Sequence, residues 1–259
     1  MATELFQRCS AHIRAAQAAD MGCDVADYGR LSVTVVTRPE KVLYLEYAAL
    51  VTTFGVGTVI SVEEPYREWV LANQPKKPQG CFNVGFLASL GAEVEARGIK
   101  TAQRSIAVGL APAECQEQPD GHTVVTHGRD WMDEWRSTSL FENSVGEPGE
   151  DDWANRLMRA FVIHDAAGEP LACAALADDG NGCAEIGVDV RVEAQAQGLA
   201  RPVVIAAMRH AFDQGLVPYY TFGAWNVRSH RLGESCGFRP LWTVAGVAKV
   251  VAGVGSQTG

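Results

Sequence analysis

One segment, Glu185–Phe212, constrains the fold of this chain more strongly than any other; its sequence is EIGVDVRVEAQAQGLARPVVIAAMRHAF. It begins with apolar, β-branched residues typical of a strand, continues through the polar turn 195–200, and ends in a helical pattern over Ala200–Gln214. Two adjacent stripes of the predicted helix are apolar: Val203, Ala207 and Ala211 form one, and Val204, Met208 and Phe212 form the other. A helix that is apolar over so much of its surface packs against a sheet. The segment therefore predicts a strand and a helix in adjacent layers of an α/β domain.

The turn between this strand and helix has the composition of an anion cradle built from backbone groups. A helix N-terminus offers unpaired N–H groups and the positive end of the helix dipole. Gly198 lets a ligand approach the backbone closely, Ala200 is small, and Leu199 can point into the core and fix the turn. The alternative is an ordinary strand-to-helix connection, which also favours a glycine, and these residues alone do not decide between the two.

Strands and helices alternate through the C-terminal half of the sequence. RAFVIHD and EPLACAALADD are predicted strands joined in a hairpin by Ala-Ala-Gly. GCAEIGVDV and VPYYTFGA are further strands, and the short helix in NVRSHRLGESCG ends at Gly237, before a last strand in FRPLWTVAGVAKVV. Alternation of this kind predicts an α/β domain with a mixed sheet.

The N-terminal part of the chain carries its own set of predicted elements. These are a helix over Thr3–Ala19, strands in LSVTVVT and KVLYLEYAALVTTFGVGTVISV, and helices in EEPYREWVLAN and FLASLGAEVEARG. APAECQEQPDG, residues 111–121, is the most linker-like stretch. We therefore expect one region over 1–115 and a second domain over 116–259. The role of 1–115 stays open between a degenerate half-domain, an acceptor lid and a dimer surface.

Composition and charge exclude several classes of function. The 259 residues carry a net charge of −9, which gives no electrostatic basis for binding nucleic acid or an anionic membrane surface. The seven cysteines form no CxxC pair, so zinc spacing is absent and no metal is expected; we predict free thiols in a reducing cytoplasm. No signal peptide and no apolar run of membrane-spanning length is present.

Two motifs in a fixed order carry a resemblance to a known family. V-D-V-x4-Q-x-x-G-L-A, over 188–200, is followed by WN-x-x-S-x-x-L-x-E-S-C-G-F, over 225–238. Together they resemble the GNAT acetyltransferase superfamily, in a bacterial subgroup with an N-terminal extension. The resemblance spans roughly 120–242. It implies a mixed, mostly antiparallel central sheet flanked by helices, an α/β N-terminal extension, and acetyl-CoA as cosubstrate.

The resemblance also assigns the coenzyme A contacts position by position. It implies that the backbone around Val188, Asp189 and Val190 pairs with the pantetheine arm. The implied pyrophosphate contacts are Gln195, Ala196, Gln197, Gly198, Leu199 and Ala200. Asn226 and Ser229 are expected to touch the pantetheine or the pyrophosphate, and Asn226 is also a good helix N-cap in its own right.

Acetyl transfer to an amine needs a base for the amine proton and a way for the thiolate to leave. Glu185 is the first candidate for the base, with Asp189 or a water relay as alternatives. The catalytic glutamate of histone-type members aligns one place earlier, at Ala184, so a β-bulge would be needed to correct the register. Many members have a tyrosine as the acid four residues after the position of Ser229, where this chain has Gly233. Tyr220, Tyr219 or Ser229 is then the substitute acid, unless the thiolate leaves unassisted.

The segment RDWMDEWRSTSLFEN, residues 129–143, lies where the superfamily covers its acceptor. Trp131 and Trp135 are one helical turn apart among acidic residues, which suits a cationic amine; the alternative is that the tryptophans are core and the acids a solvated face. We predict an N-acetyltransferase acting on a primary amine of a small molecule. A catalytically impaired acyl-CoA-binding or sensor protein and a transferase of a longer acyl group are the alternatives, and a homodimer is left open.

Overall fold

The computed structural model describes residues 3–39, 47–148 and 151–250, without the side chains of 102–104, 151 and 152. Its helices are α1 Glu4–Met21, α2 Glu64–Asn73, α3 Val84–Ala96, α4 Arg129–Arg136, α5 Glu142–Val145, α6 Asp151–Arg156, α7 Ala200–Asp213 and α8 Val227–Ser235. Its strands are β1 Val33–Thr37, β2 Tyr47–Thr53, β3 Thr58–Val62, β4 Thr101–Pro112, β5 Val125–His127, β6 Leu157–His164, β7 Pro170–Asp178, β8 Cys183–Val190, β9 Val217–Gly223 and β10 Phe238–Lys249. Among the described residues, no helix is long and apolar enough to cross a bilayer.

The chain forms two compact units. The first unit contains 1–13, 110–222 and 226–240, and the second contains 14–109, 223–225 and 241–259. The division expected from sequence, 1–115 and 116–259, follows the chain order and stays a prediction. One strand, β4, was not expected, because its residues lack the run of β-branched and aromatic side chains that marks the other strands.

The second unit is a mixed sheet with helices. β1 and β3 pair in parallel, β3 and β2 pair antiparallel, and β2 pairs antiparallel with β10. β3 is buried at every position, as expected of a strand covered on both faces. Its core joins apolar residues of the strands to α2 and α3, including Ile60, Val62, Tyr66, Val70, Leu90, Val94 and Val247.

The first unit is built on the strand order β9-β8-β7-β6-β5. All its pairs are antiparallel except β8 with β9, which is parallel. The predicted β6–β7 hairpin is present: Asp165 accepts hydrogen bonds from the N–H groups of Ala167 and Glu169 at 2.8 and 2.9 Å, and Gly168 has a φ of +89°. A mixed, mostly antiparallel sheet flanked by helices is therefore confirmed.

Alternation along β8 sends its side chains to two different layers. Ala177, Ala175 and Cys173 of β7 lie opposite Glu185, Gly187 and Asp189, so all six residues belong to one face. The three β7 residues form a core with Met132, Phe141 and Val145, which places α4 and α5 on that face. The apolar surface of α7 is buried, as its pattern predicts. Glu185 therefore belongs to the face covered by 129–148.

Candidate active site

β8 and β9 are paired over a short distance only. Their parallel register joins Cys183 to Val217, Ala184 to Pro218 and Glu185 to Tyr219, whereas β8 continues to Val190 and β9 to Gly223. The other edge of β8 pairs with β7 along its whole length. One edge of 186–190 thus keeps backbone N–H and C=O groups that β9 does not use, and such groups require partners. An extended ligand arm can supply them.

Glu185 occupies the last paired position before this edge. Its carboxylate accepts hydrogen bonds from the hydroxyl of Thr221 and lies 3.3 Å from the hydroxyl of Tyr219. The side chain is half-buried, so water and a substrate can reach it. The register of β8 with β7 is regular from Ala172–Val190 to Asp178–Ala184, so no bulge shifts Glu185 to the position of its neighbour. Glu185 lies on the face covered by 129–148 without that correction.

A second carboxylate lies behind Tyr219. The tyrosine hydroxyl is 2.5 Å from Asp179 Oδ2, and Asp179 Oδ1 forms an ion pair with Arg156 at 2.6 Å. The Asp179 side chain is 2% exposed and that of Arg156 14%, so this is a buried pair. Sequence inspection did not select Asp179 or Arg156, because the turn after β7 and the end of α6 become neighbours only in the folded chain.

Asp189 is fully engaged by the segment that covers this face. Its carboxylate accepts hydrogen bonds from the backbone N–H and the hydroxyl of Ser144, both at 2.8 Å, and from the side-chain amide of Asn143 at 2.6 Å. Gly187, two residues earlier in β8, lets the backbone of Asn143 approach the strand closely, since a Cβ there would lie 1.9 Å from the Asn143 carbonyl oxygen. This geometry favours Asp189 as an anchor for α5 over a role as base.

The turn 195–200 has the backbone that an anion cradle requires. Ala196 and Gly198 both have positive φ angles, +62° and +79°, and nothing lies within 4 Å of the position of a Gly198 Cβ. A non-glycine residue in this conformation is strained, and such strain collects at functional turns. Leu199 is buried at 4% exposure and pins the turn, as its pattern predicts.

The N-terminus of α7 behind this turn has no capping side chain. Its N-cap residue is Leu199, which offers no oxygen to the N–H groups of the first turn. The residues 195–198 are exposed, so the turn that leads into this helix end is open to solvent or a ligand. Although the turn itself carries no cation, Arg228 of α8 donates a hydrogen bond to Gln195 Oε1 at 3.3 Å. The fold thus adds a positive charge that inspection of the turn missed.

The second motif forms the start of α8. Asn226 is the N-cap, and its side chain accepts a hydrogen bond from Ser229 N at 3.1 Å, which confirms its capping role. Ser229 hydrogen-bonds to the hydroxyl of Tyr220. Burial raises the pKa of Tyr220 to about 12, although that hydrogen bond opposes the shift, so its hydroxyl stays protonated at neutral pH. Gly233 packs against Leu110, and a Cβ there would lie 2.4 Å from Leu110 Cδ1. A larger residue at this position would therefore have to displace Leu110.

The tryptophans of α4 pack against the core of the first unit. Trp131 and Trp135 are half-buried against the cluster that contains Met132 and Phe141, with ring centroids 5.8 Å apart. The acidic residues around them, Asp130, Asp133 and Glu134, are exposed. Asp133 is paired with Arg136 at 3.1 Å. This packing favours a structural role for the two tryptophans, and a role in binding a cationic amine stays a prediction. Among the described residues, no group of histidine, cysteine and acidic side chains could hold a metal ion.

The geometry agrees with a family match. Residues 127–238, from the end of β5 to the start of β10, match the model of the acetyltransferase (GNAT) family. This segment is a GNAT domain. It is an acyltransferase, and the family uses acetyl-CoA as its acyl donor. The resemblance carried by the two sequence motifs is confirmed, and the GNAT domain contains both of them.

Solved structures with the same kind of domain are distant. A GCN5-related N-acetyltransferase from Kribbella flavida is 18% identical, with 94% of this chain and 96% of that chain covered and a TM-score of 0.47. A GCN5-related N-acetyltransferase-like protein from Streptococcus suis is 16% identical over 65% and 69% of the two chains, with a TM-score of 0.46. The spermidine/spermine N-acetyltransferase SpeG from Vibrio cholerae is 19% identical over 49% and 93%, with a TM-score of 0.37. Curated proteins give no match.

Proposed function

We propose that the GNAT domain transfers an acetyl group from acetyl-CoA to a primary amine of a small molecule, by direct attack within a ternary complex. The observation that carries this proposal is Glu185, a half-buried carboxylate at the last paired position of β8 and β9, on the face covered by 129–148. Acetyl-CoA supplies the thioester that the amine attacks, and coenzyme A leaves as the C–S bond breaks. Glu185 accepts the proton of the amine nitrogen, which frees the lone pair for that attack.

The residues of the domain fit the donor. The unpaired edge of β8 around Val188 and Val190 offers backbone groups to the pantetheine arm. The turn from Gln195 through Ala196, Gln197, Gly198 and Leu199 to Ala200 presents N–H groups to the pyrophosphate at an uncapped helix end. Arg228 adds one cation at the rim of this turn. Asn226 and Ser229 lie at the start of α8, within the same motif that supplies Arg228.

The domain contributes little to protonating the leaving thiolate. A side chain at Gly233 would have to displace Leu110, and Tyr220 is a weak acid because burial raises its pKa to about 12. A thiol has an ordinary pKa near 8.5, so its thiolate can leave and take a proton from water. The lack of a suitable proton donor for the thiolate favours a second candidate function, that of an acyl-CoA-binding protein with impaired catalysis. The proposal places the reaction in the cytoplasm, which the free thiols of all seven cysteines favour.

Two measurements on the purified chain test the proposal. Calorimetry gives the affinity for coenzyme A, and release of free thiol from acetyl-CoA is followed with a panel of primary amines. We expect Glu185→Gln to lower kcat by about 100-fold or more at unchanged coenzyme A affinity, since general-base catalysis contributes 10²–10⁴-fold. Glu169→Gln, an exposed glutamate beyond the β6–β7 turn, is the control and should retain full activity. The chain would instead be an acyl-CoA-binding protein if it bound coenzyme A but acylated no amine, with either acetyl-CoA or longer acyl donors.

A further inference from the structure

The hydrogen-bond network formed by Glu185, Tyr219 and Asp179 can accommodate one additional proton. Tyr219 has a single hydroxyl hydrogen and lies between two carboxylates, Asp179 at 2.5 Å and Glu185 at 3.3 Å. A phenol can donate that hydrogen to only one of them. The shorter distance and the ion pair between Asp179 and Arg156 direct it to Asp179. The lone pairs of the Tyr219 oxygen then face Glu185 Oε2.

The other oxygen of Glu185 is already satisfied. Thr221 donates its hydroxyl hydrogen to Oε1, so the proton-free position is Oε2. Tyr219 and Thr221 are two residues apart on β9, so their side chains lie on the same face of the sheet. Glu185 is paired directly opposite Tyr219. A proton added to Glu185 Oε2 completes an O–H···O hydrogen bond to Tyr219. The site is thus arranged to receive a proton at that oxygen.

We propose that Asp179 and Tyr219, held by Arg156, are positioning residues that orient Glu185 and provide the hydrogen-bond acceptor for its protonated form. This inference deepens the proposed function and rests on Glu185 as the base. During transfer the amine N–H bond breaks and an O–H bond forms at Glu185 Oε2, while the Tyr219 hydrogen stays on its own oxygen and Asp179 stays paired with Arg156. No additional reactant is required.

The burial of the network explains why it can hold this orientation. The Tyr219 residue is 2% exposed and the Asp179 side chain 2%, so water does not compete for their hydrogen bonds. Asp179 lies in the turn between β7 and β8, where its N–H donates to the Cys183 carbonyl at 3.1 Å. The carboxylate is therefore fixed by its backbone as well as by Arg156. A fixed Asp179 keeps the Tyr219 hydrogen turned away from Glu185.

Tyr219→Phe is the decisive variant, because it keeps the ring and removes only the hydroxyl. We expect kcat to fall by about 10-fold, less than the 10²–10⁴-fold attributed to general-base catalysis because Glu185 itself is kept, with the KM for acetyl-CoA unchanged. The acidic limb of the pH–rate profile should move to lower pH, since the protonated form of Glu185 has lost its acceptor. Asp179→Asn should move it in the same direction, because the Tyr219 hydrogen is then free to turn towards Glu185. Tyr66→Phe, another buried tyrosine, is the control and should change neither quantity.

A second measurement does not depend on turnover. Infrared difference spectra follow the carboxyl stretch of protonated Glu185 against pH, with Glu185→Gln used to assign the band. We expect the midpoint in Tyr219→Phe to lie below that of the unsubstituted chain by about half a pH unit or more, the size of a lost hydrogen bond. An unchanged midpoint overturns the inference, whatever the activity. A shifted midpoint in a chain that acetylates no amine would instead overturn the proposed function and leave the hydrogen-bond assignment standing.

Discussion

Asp189 and Ser144, which lie 45 residues apart in the sequence, are joined by two hydrogen bonds of 2.8 Å to one carboxylate oxygen. One comes from the backbone N–H of Ser144 and the other from its hydroxyl. The bonds fasten α5 to β8 beside Gly187, whose missing side chain admits the α5 backbone. The wall of the proposed acceptor site is therefore fixed to the same strand that carries Glu185.

Removal of the Asp189 carboxylate should loosen this wall. Asp189→Ala removes three hydrogen bonds between β8 and the segment of Asn143 and Ser144, so we expect a loss of about 2–4 kcal/mol in the free energy of unfolding. Urea denaturation measures it. Asp213→Ala removes an exposed carboxylate from the end of α7 and is the matched control, with an expected change within about 0.5 kcal/mol. Equal stabilities for the two variants would contradict the anchoring role.

Gly198 and Gly215 allow a paired test of the cradle. Both have positive φ angles, +79° and +75°, both have open space around the Cβ position, and they flank the two ends of α7. Aspartate at either place meets the same backbone strain, but only at residue 198 would the carboxylate lie against bound phosphates. We expect Gly198→Asp to weaken coenzyme A binding by about 10-fold or more, by calorimetry, while Gly215→Asp leaves it unchanged. Equal affinities would show that the pyrophosphate binds elsewhere.

Arg228 should contribute to coenzyme A binding through its charge. It is exposed and adjacent to Gln195, so its contribution is screened by salt. We expect Arg228→Ala to raise the dissociation constant by about 3- to 10-fold at low salt and to reduce its salt dependence. Arg231→Ala removes an exposed arginine one turn further along α8 and serves as control. The prediction fails when both variants bind coenzyme A alike.

The thiols should react in two classes. Cys115 is exposed and Cys23 is half-buried with its pKa raised by burial, whereas the other five thiols are buried: Cys9, Cys81, Cys173, Cys183 and Cys236. Burial raises the pKa of Cys81 and of Cys236 to about 11, which removes the reactive thiolate at pH 8. A thiol reagent added to the folded chain should therefore give one rapid equivalent that Cys115→Ser abolishes. Rapid reaction of further thiols would show that the buried core opens locally.

Alkaline pH should destabilise the fold through Cys173. Burial raises its pKa from 9.0 to about 12, so both folded and unfolded chains hold the proton below pH 9 and only the unfolded chain releases it between pH 9 and about 12. The free energy of unfolding should then fall by up to about 1.4 kcal/mol per pH unit from this group. Urea denaturation from pH 8 to 10.5 measures the slope. Cys173→Ala should make it shallower and Cys115→Ala should not; identical slopes would contradict the assignment.

Individual elements show why some features were predictable and others were not. The strand β8, the turn at Gly198 and the helix α7 followed from periodicity and from backbone preferences, which act between residues close in sequence. β4 escaped prediction, since its partners rather than its own composition make it a strand. No bulge interrupts the pairing of β7 with β8 at Glu185, and the regular register already turns that side chain to the face covered by 129–148.

The sequence by itself determined the order of most elements, the polar turn before α7, the cap at Asn226 and the two motifs of the GNAT domain. Each depends on interactions within a few residues, and those are encoded locally. Only the tertiary structure decided which charges meet: Arg228 beside Gln195, and the chain from Arg156 through Asp179 and Tyr219 to Glu185. Such contacts join residues 23 to 40 positions apart, and no local preference specifies them. They arise where strand register and helix packing bring distant side chains within hydrogen-bond distance.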